Sequence, residues 1–171
     1  MGVDWVVLKF GGTSVATRKR WETIHRVVSD HLAAGRRPMV VCSAVSGISD
    51  AIAQLGSVAG TGGDPEVAVQ AIVERHRALA RALEVDLDDA IGDIATDLGR
   101  LALGASLIGE VTPRLQARLM SAGELMSTRL GAAFLRQQGL DCQWHDARQL
   151  VCAGVAPATV SSRGAFLEGA G

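Results

Sequence analysis

The stretch Val6-Val7-Leu8-Lys9-Phe10-Gly11-Gly12-Thr13-Ser14-Val15 constrains this chain more than any other. A short apolar run rich in β-branched residues reads as a strand with buried side chains. It ends at a lysine, an aromatic ring and two glycines, and two hydroxyl residues follow where a helix should begin. In open α/β sheets, ligands bind just beyond the C-terminal ends of the strands. Glycine backbone can close on an anion because no Cβ intervenes, and the N–H groups of a starting helix favour the same charge. The order of residues therefore describes a phosphate site: one cation at Lys9, bare backbone at Gly11 and Gly12, and hydroxyls on Thr13 and Ser14. A tight βα turn beside a solvated lysine is the plainer alternative. The stretch is neither a Walker A loop nor a dinucleotide fingerprint, because here the lysine precedes the glycines.

Periodicity extends the pattern. Residues 16–34 show helical spacing, with Trp21, Ile24, Val27, Val28, His31 and Leu32 recurring at three and four. Gly35 suits the stop and Pro38 lies beyond it. Residues 38–43 read as a second buried strand, so strand, helix and strand form a right-handed βαβ unit with parallel strands. A helix is expected over 48–58, a breaker-rich loop over 60–65, a long helix from Pro65 to about residue 83, and another over 87–107. That pair reads as a helical insertion, about 65–110, packed as an αα-hairpin away from the sheet. Residues 115–136 look helical with a break near 121–123, residues 140–145 read as a third strand, and Asp146 caps the turn that follows. Residues 153–171, rich in Ala, Gly and Ser, look loop-like.

Composition narrows the partners. Apolar residues make up 48% of the 171 and charged residues 20%, so the chain should bury a core. A formal net charge of -1 argues against a general nucleic-acid or membrane-surface binder. No run approaches the ~18 apolar residues of a membrane span. The N-terminus carries Asp4 and enters a strand directly, so no secretory signal is expected. Cys42, Cys142 and Cys152 are odd in number and lack a C-x-x-C, which speaks against zinc and disulfides and for a reducing cytosol. Cys42 and Cys142 are expected as buried thiols. No metal site is expected: His25, His31 and His76 lie in helical segments without ligand spacing. His145 and Asp146, as strand neighbours, would point to opposite faces and form no catalytic pair.

Two further segments carry chemistry. Ser43-Ala44-Val45-Ser46-Gly47-Ile48-Ser49 follows the second strand and is either a ligand-facing loop or ordinary turn chemistry. Ser121-Ala122-Gly123-Glu124-Leu125-Met126-Ser127 contains S-x-x-E, which is a capping box, or else a carboxylate set to meet an ammonium group. Taken in order and separation, the three segments resemble those of aspartokinases, within the amino acid kinase family. Ser49 stands where that family usually has threonine, which keeps the hydroxyl and loses the methyl. Gln143-Trp144-His145-Asp146-Ala147-Arg148 is similar to an aspartokinase stretch at the end of a later strand. The wording around 124–148 looks most like the lysine-sensitive aspartokinases, including those fused to diaminopimelate decarboxylase.

The resemblance spans residues 6–151. It implies an α/β fold, three-layer αβα with a mostly parallel sheet. Residues 1–171 then form a partial amino acid kinase domain, an incomplete substrate-binding N-terminal lobe with no regulatory domain. It implies transfer of the ATP γ-phosphate, with Mg²⁺, to the β-carboxylate of L-aspartate, giving aspartyl phosphate for lysine, threonine and methionine synthesis. Lys9 would stabilise the transferred phosphoryl group. Gly11, Gly12 and Ser14 would join Lys9 in holding the nucleotide phosphates. Ser43, Ser49 and Glu124 would hold the amino acid, with Glu124 on its α-amino group. The acceptor is already an anion, so no general base is needed. Complete aspartokinases carry a later G-R-G-G-S-D segment that this chain lacks, so little activity is expected of the chain alone. An unpaired sheet edge should make it marginally stable or prone to aggregate. The full-length protein is expected to be a cytoplasmic homo-oligomer. The alternatives are a glutamate or acetylglutamate kinase, or a non-catalytic chain that binds aspartate or assists assembly.

Overall fold

A computed structural model of the chain describes residues 4–150. Strand β1 (Trp5–Phe10) leads through a 3-10 turn (Gly12–Val15) into helix α1 (Arg18–Ala33) and strand β2 (Arg37–Cys42). Five helices follow: α2 (Ile48–Gly60), α3 (Glu66–Leu83), α4 (Leu87–Ile108), α5 (Pro113–Gln137) and the short α6 (Ala147–Leu150). The two strands are parallel and in even register, from Trp5 opposite Arg37 to Phe10 opposite Cys42. They therefore end level, and the loops that leave them share one edge.

Side chains alternate across a strand. Val6, Leu8, Phe10, Val40 and Cys42 turn inward and are half-buried, while Trp5, Val7, Lys9, Met39 and Val41 turn outward and are exposed. The outward face is open among the described residues: Val7 keeps 65% of its surface and Trp5 59%. The Arg37 guanidinium lies over the Trp5 ring on that face, 5.9 Å from its centroid. On the inward face α1 and α5 lie against β2, and α2, α3 and α4 gather around α5.

Trp21, Ile48, Ile52, Met126 and Phe134 are fully buried in one continuous core. The α3–α4 hairpin packs on the far side of α5 and α2 from the sheet, and Ile72, Leu83, Ile91 and Leu98 of that hairpin join the same core. Local chemistry sets the helix starts. Asp86 Oδ1 accepts the Asp89 N–H at 3.0 Å ahead of α4, and Thr112 Oγ1 accepts the Leu115 N–H at 3.2 Å ahead of α5, with Pro113 in its first turn.

Four expectations need correction. Helix α5 runs unbroken through 121–123, and Ser121 donates its hydroxyl to the Arg118 carbonyl at 2.8 Å. There is no capping box: Glu124 sits mid-helix, because buried Ala122, Gly123 and Met126 hold that turn against its neighbours. Residues 140–145 form no strand. Their burial alternates as a strand's would, with Leu140, Cys142 and Trp144 half-buried and Asp141, Gln143 and His145 exposed. A strand also needs a backbone partner, and β1 and β2 pair only with each other among the described residues. Cys42 and Cys142 are half-buried instead of fully buried. Asp146 does cap its turn, accepting the Arg148 N–H at 3.0 Å. The expected loop at 153–171, and Cys152, lie outside the described residues. No described helix is long and apolar enough to cross a membrane.

Candidate active site

The loops that leave β1 and β2 are tied to one another by backbone. The Ser43 N–H donates to the Phe10 carbonyl at 3.1 Å, and the Ser46 N–H donates to the Gly12 carbonyl at 3.2 Å. A Cβ on Gly12 would stand 2.7 Å from the Ala44 carbonyl oxygen, so only glycine admits this approach. The Ser14 N–H closes the 3-10 turn onto the Gly11 carbonyl at 2.9 Å. At the end of that turn the Val15 carbonyl accepts the buried Trp21 indole N–H at 2.9 Å, which pins the turn to α1.

Helix α5 presses on the second loop from the other side. A Cβ on Gly123 would lie 2.8 Å from Ile48 Cγ2 and 3.1 Å from the Ala44 Cβ, so the glycine of Ser-Ala-Gly-Glu is a seat for the loop. One turn on, the Ser127 hydroxyl donates to the Ser43 carbonyl at 2.8 Å. All three sequence segments are thus interlocked: Gly12 with Ala44 and Ser46, and Ala44 and Ser43 with Gly123 and Ser127.

The side chains are arranged around that junction. Ser14 and Ser43 are half-buried, Gly11 is exposed, and Ser49 is exposed in the first turn of α2. Glu124 is exposed on α5, the helical side of the sheet. Lys9 leaves β1 on the opposite, open face, at its last residue but one. Neither makes an ion pair among the described residues. Lys9 and Glu124 therefore border the strand edge from its two sides and are not brought into contact. Among the described residues no three His, Cys, Asp or Glu side chains gather as a metal site.

Sequence reasoning missed the supports. Arg75 of α3 donates to the Ser46 carbonyl at 2.6 Å and flanks Gly47, whose φ of 76° starts α2. Nothing local marks an arginine 29 residues away as its partner. Ser127 was visible as the last residue of Ser-Ala-Gly-Glu-Leu-Met-Ser, although its role proves to be holding the Ser43 backbone. Burial pushes the Cys42 thiol at the end of β2 up to about 12, which leaves it protonated and unsuited to act as a nucleophile. The hydrogen bond from Arg148 holds the Asp146 carboxyl below the usual carboxylate range, despite some burial.

A parallel βαβ unit with two small-residue loops at one strand edge, backed by a helix bearing an exposed carboxylate, has the layout in which open α/β folds bind ligands. Residues 4–165 match the model of the amino acid kinase family, and the chain belongs to that family. It is 32% identical over 160 residues to bifunctional aspartokinase/homoserine dehydrogenase 1, chloroplastic, of Arabidopsis thaliana, across 88% of this chain and 17% of that protein. It is 31% identical over 148 residues to aspartokinase 2, chloroplastic, of the same plant, across 84% of this chain and 27% of that one. The crystal structure of E. coli aspartokinase III in complex with aspartate and ADP superimposes with a TM-score of 0.70 at 31% identity, covering 85% of this chain and 31% of that chain. The lysine and aspartate complex of the same enzyme gives 0.60 at 29% identity. The chain thus spans between 17% and 27% of the length of these curated relatives.

Proposed function

We propose that this chain is the substrate-binding part of an aspartate kinase, which moves the ATP γ-phosphate to the β-carboxylate of L-aspartate. The observation that carries the reading is the interlocking of Gly12, Ala44, Ser46, Gly123 and Ser127 at one strand edge. It unites the phosphate loop with the two segments expected to hold the amino acid. The relatives named above are aspartokinases, and aspartokinase III holds aspartate and ADP.

The geometry suggests how the substrates lie. The amino acid rests across the strand ends with its ammonium group toward Glu124 on the helical side. Ser43 and Ser49 contribute hydroxyls, and the β-carboxylate points toward the glycine turn. Lys9 approaches from the open face, where its ammonium neutralises charge on the phosphoryl group in flight. The N–H groups at Gly11 and Gly12 and the Ser14 hydroxyl face the phosphates. Phosphoryl transfer asks mainly for alignment and charge neutralisation, and the carboxylate acceptor is already deprotonated. The described residues offer no protein ligand set for Mg²⁺, which accompanies the nucleotide phosphates in this reading. Self-association of the whole enzyme and a cytoplasmic setting belong to the same proposal.

The test is a phosphoacceptor screen on the protein carrying this sequence, trapping acyl phosphate with hydroxylamine. Aspartate should be the acceptor, in preference to glutamate and acetylglutamate. Lys9→Ala should lower turnover by at least about 100-fold with the fold intact. Calorimetry that shows aspartate bound but never phosphorylated would favour the non-catalytic alternative.

A further inference from the structure

We propose that Trp144 is a positioning residue for the amino-acid subsite, acting on Glu124 through Thr128; this rests on the reading of Glu124 as the group that meets the substrate ammonium. The segment after α5 doubles back along that helix and is held at three points. Arg136 donates to the Cys142 carbonyl at 3.3 Å, the Trp144 indole N–H donates to Thr128 Oγ1 at 3.0 Å, and Arg148 donates to Ser121 Oγ at 3.3 Å. Thr128 stands one turn after Glu124 and Ser121 one turn before it. The last two anchors therefore bracket the turn that carries the carboxylate.

The central anchor reaches the glutamate itself. Thr128 Oγ1 accepts from Trp144 and donates its own hydroxyl to the Glu124 carbonyl at 2.7 Å, with the Leu125 carbonyl a longer acceptor at 3.1 Å. The Ser127 hydroxyl also reaches that carbonyl, at 3.1 Å, while bonding the Ser43 carbonyl of the second loop. Hydroxyl back-bonding of this kind gives a helix carbonyl a second donor and bends the helix locally, and the turn so adjusted is the one that carries Glu124. The indole is itself clamped. The Arg129 guanidinium lies 4.6 Å from its ring centroid and donates onward to Asp93 of α4 at 2.6 Å. Trp144 thus delivers a fixed donor to a relay that ends on the backbone of Glu124, and α4 braces the delivery.

The decisive variant is Trp144→Phe, which keeps an aromatic ring beside Arg129 and removes the indole N–H together with the five-membered ring that carries it. The aspartate KM should rise about 3- to 10-fold, the range one hydrogen bond accounts for. Turnover and the ATP KM should hold. Thr128→Val should do the same, and the double variant should be no worse than either single one, because both break one relay. A merely structural role would lower the melting temperature and leave the KM of the surviving enzyme unchanged. An unchanged aspartate KM in Trp144→Phe, or effects that multiply in the double variant, would overturn the positioning role alone. A wild-type protein that neither binds nor phosphorylates aspartate would overturn the functional reading together with it.

Discussion

Replacing Gly131 by alanine tests the packing that supports the glycine turn. Gly131 is buried in α5, and a methyl group there would overlap the six-membered ring of Trp21. The ring has no room to retreat: Trp21 is 1% exposed, and its N–H is bound to the Val15 carbonyl at 2.9 Å. At an unobstructed helix position the same change stabilises by about 0.5–1 kcal/mol. Overpacking here costs about 1–3 kcal/mol. Swinging the indole aside would also strip the Val15 carbonyl of its buried donor, at about 1–3 kcal/mol. The net expectation is a loss of about 3 kcal/mol, or roughly 6–12 °C in melting temperature for a chain of this size. Gly104→Ala in α4 is the matched control, since nothing lies within 4 Å of its added methyl, and it should gain about 0.5–1 kcal/mol. Urea and thermal unfolding followed by far-UV circular dichroism read both. A Gly131→Ala protein as stable as the wild type would refute the argument.

Other outcomes can be checked alongside. Burial lowers the His76 pKa, with Arg75 nearby acting in the same direction, while the bond to the Ile72 carbonyl opposes them; its Nε2 has no partner among the described residues. The imidazole is therefore held neutral. Its contribution to stability is complete above the unfolded value of about 6.5 and is lost as pH falls below it. Unfolding free energy should drop between pH 7.5 and 5.5 by more in the wild type than in His76→Leu. Cys42, with its pKa at about 12, should react with a disulfide reagent at pH 8 about 100-fold more slowly in the native protein than in urea. Glu124→Ala should leave the melting temperature within about 1 °C, the helix preference of alanine being slightly the better. At the same time it should raise the aspartate KM. A lower melting temperature with unchanged kinetics would refute the substrate role of Glu124.

The first βαβ unit was legible because its signals are local. β-branched runs, a three-and-four spacing and the Gly35 stop each act within one element. The same holds for α3 and α4, where Pro65 and the short connection before Leu87 mark the ends. What escaped depends on neighbours remote in sequence. Residues 140–145 have the side-chain rhythm of a strand, but pairing is a property of a second backbone, and rhythm cannot supply it. The break expected at 121–123 is absent for the same kind of reason. Close packing against Ile48 and Ala44 uses Gly123 for contact and leaves the helix continuous. The glycine turn, the serine loop and the glutamate were each visible as motifs. Their interlocking was visible only in part, through their shared order, and Arg75, Trp21 and Trp144 as supports could not be inferred from spacing.

The contact between Gly12 and the Ala44 carbonyl leaves no slack, not even the width of a methyl group, between the two loops. A phosphate that draws the glycine turn toward itself must carry the neighbouring serine loop with it. Under the proposed function, nucleotide and amino acid would then each feel the other's arrival through a shared partition of backbone. Thermodynamic reciprocity requires the factor by which one changes the other's affinity to be the same in both directions.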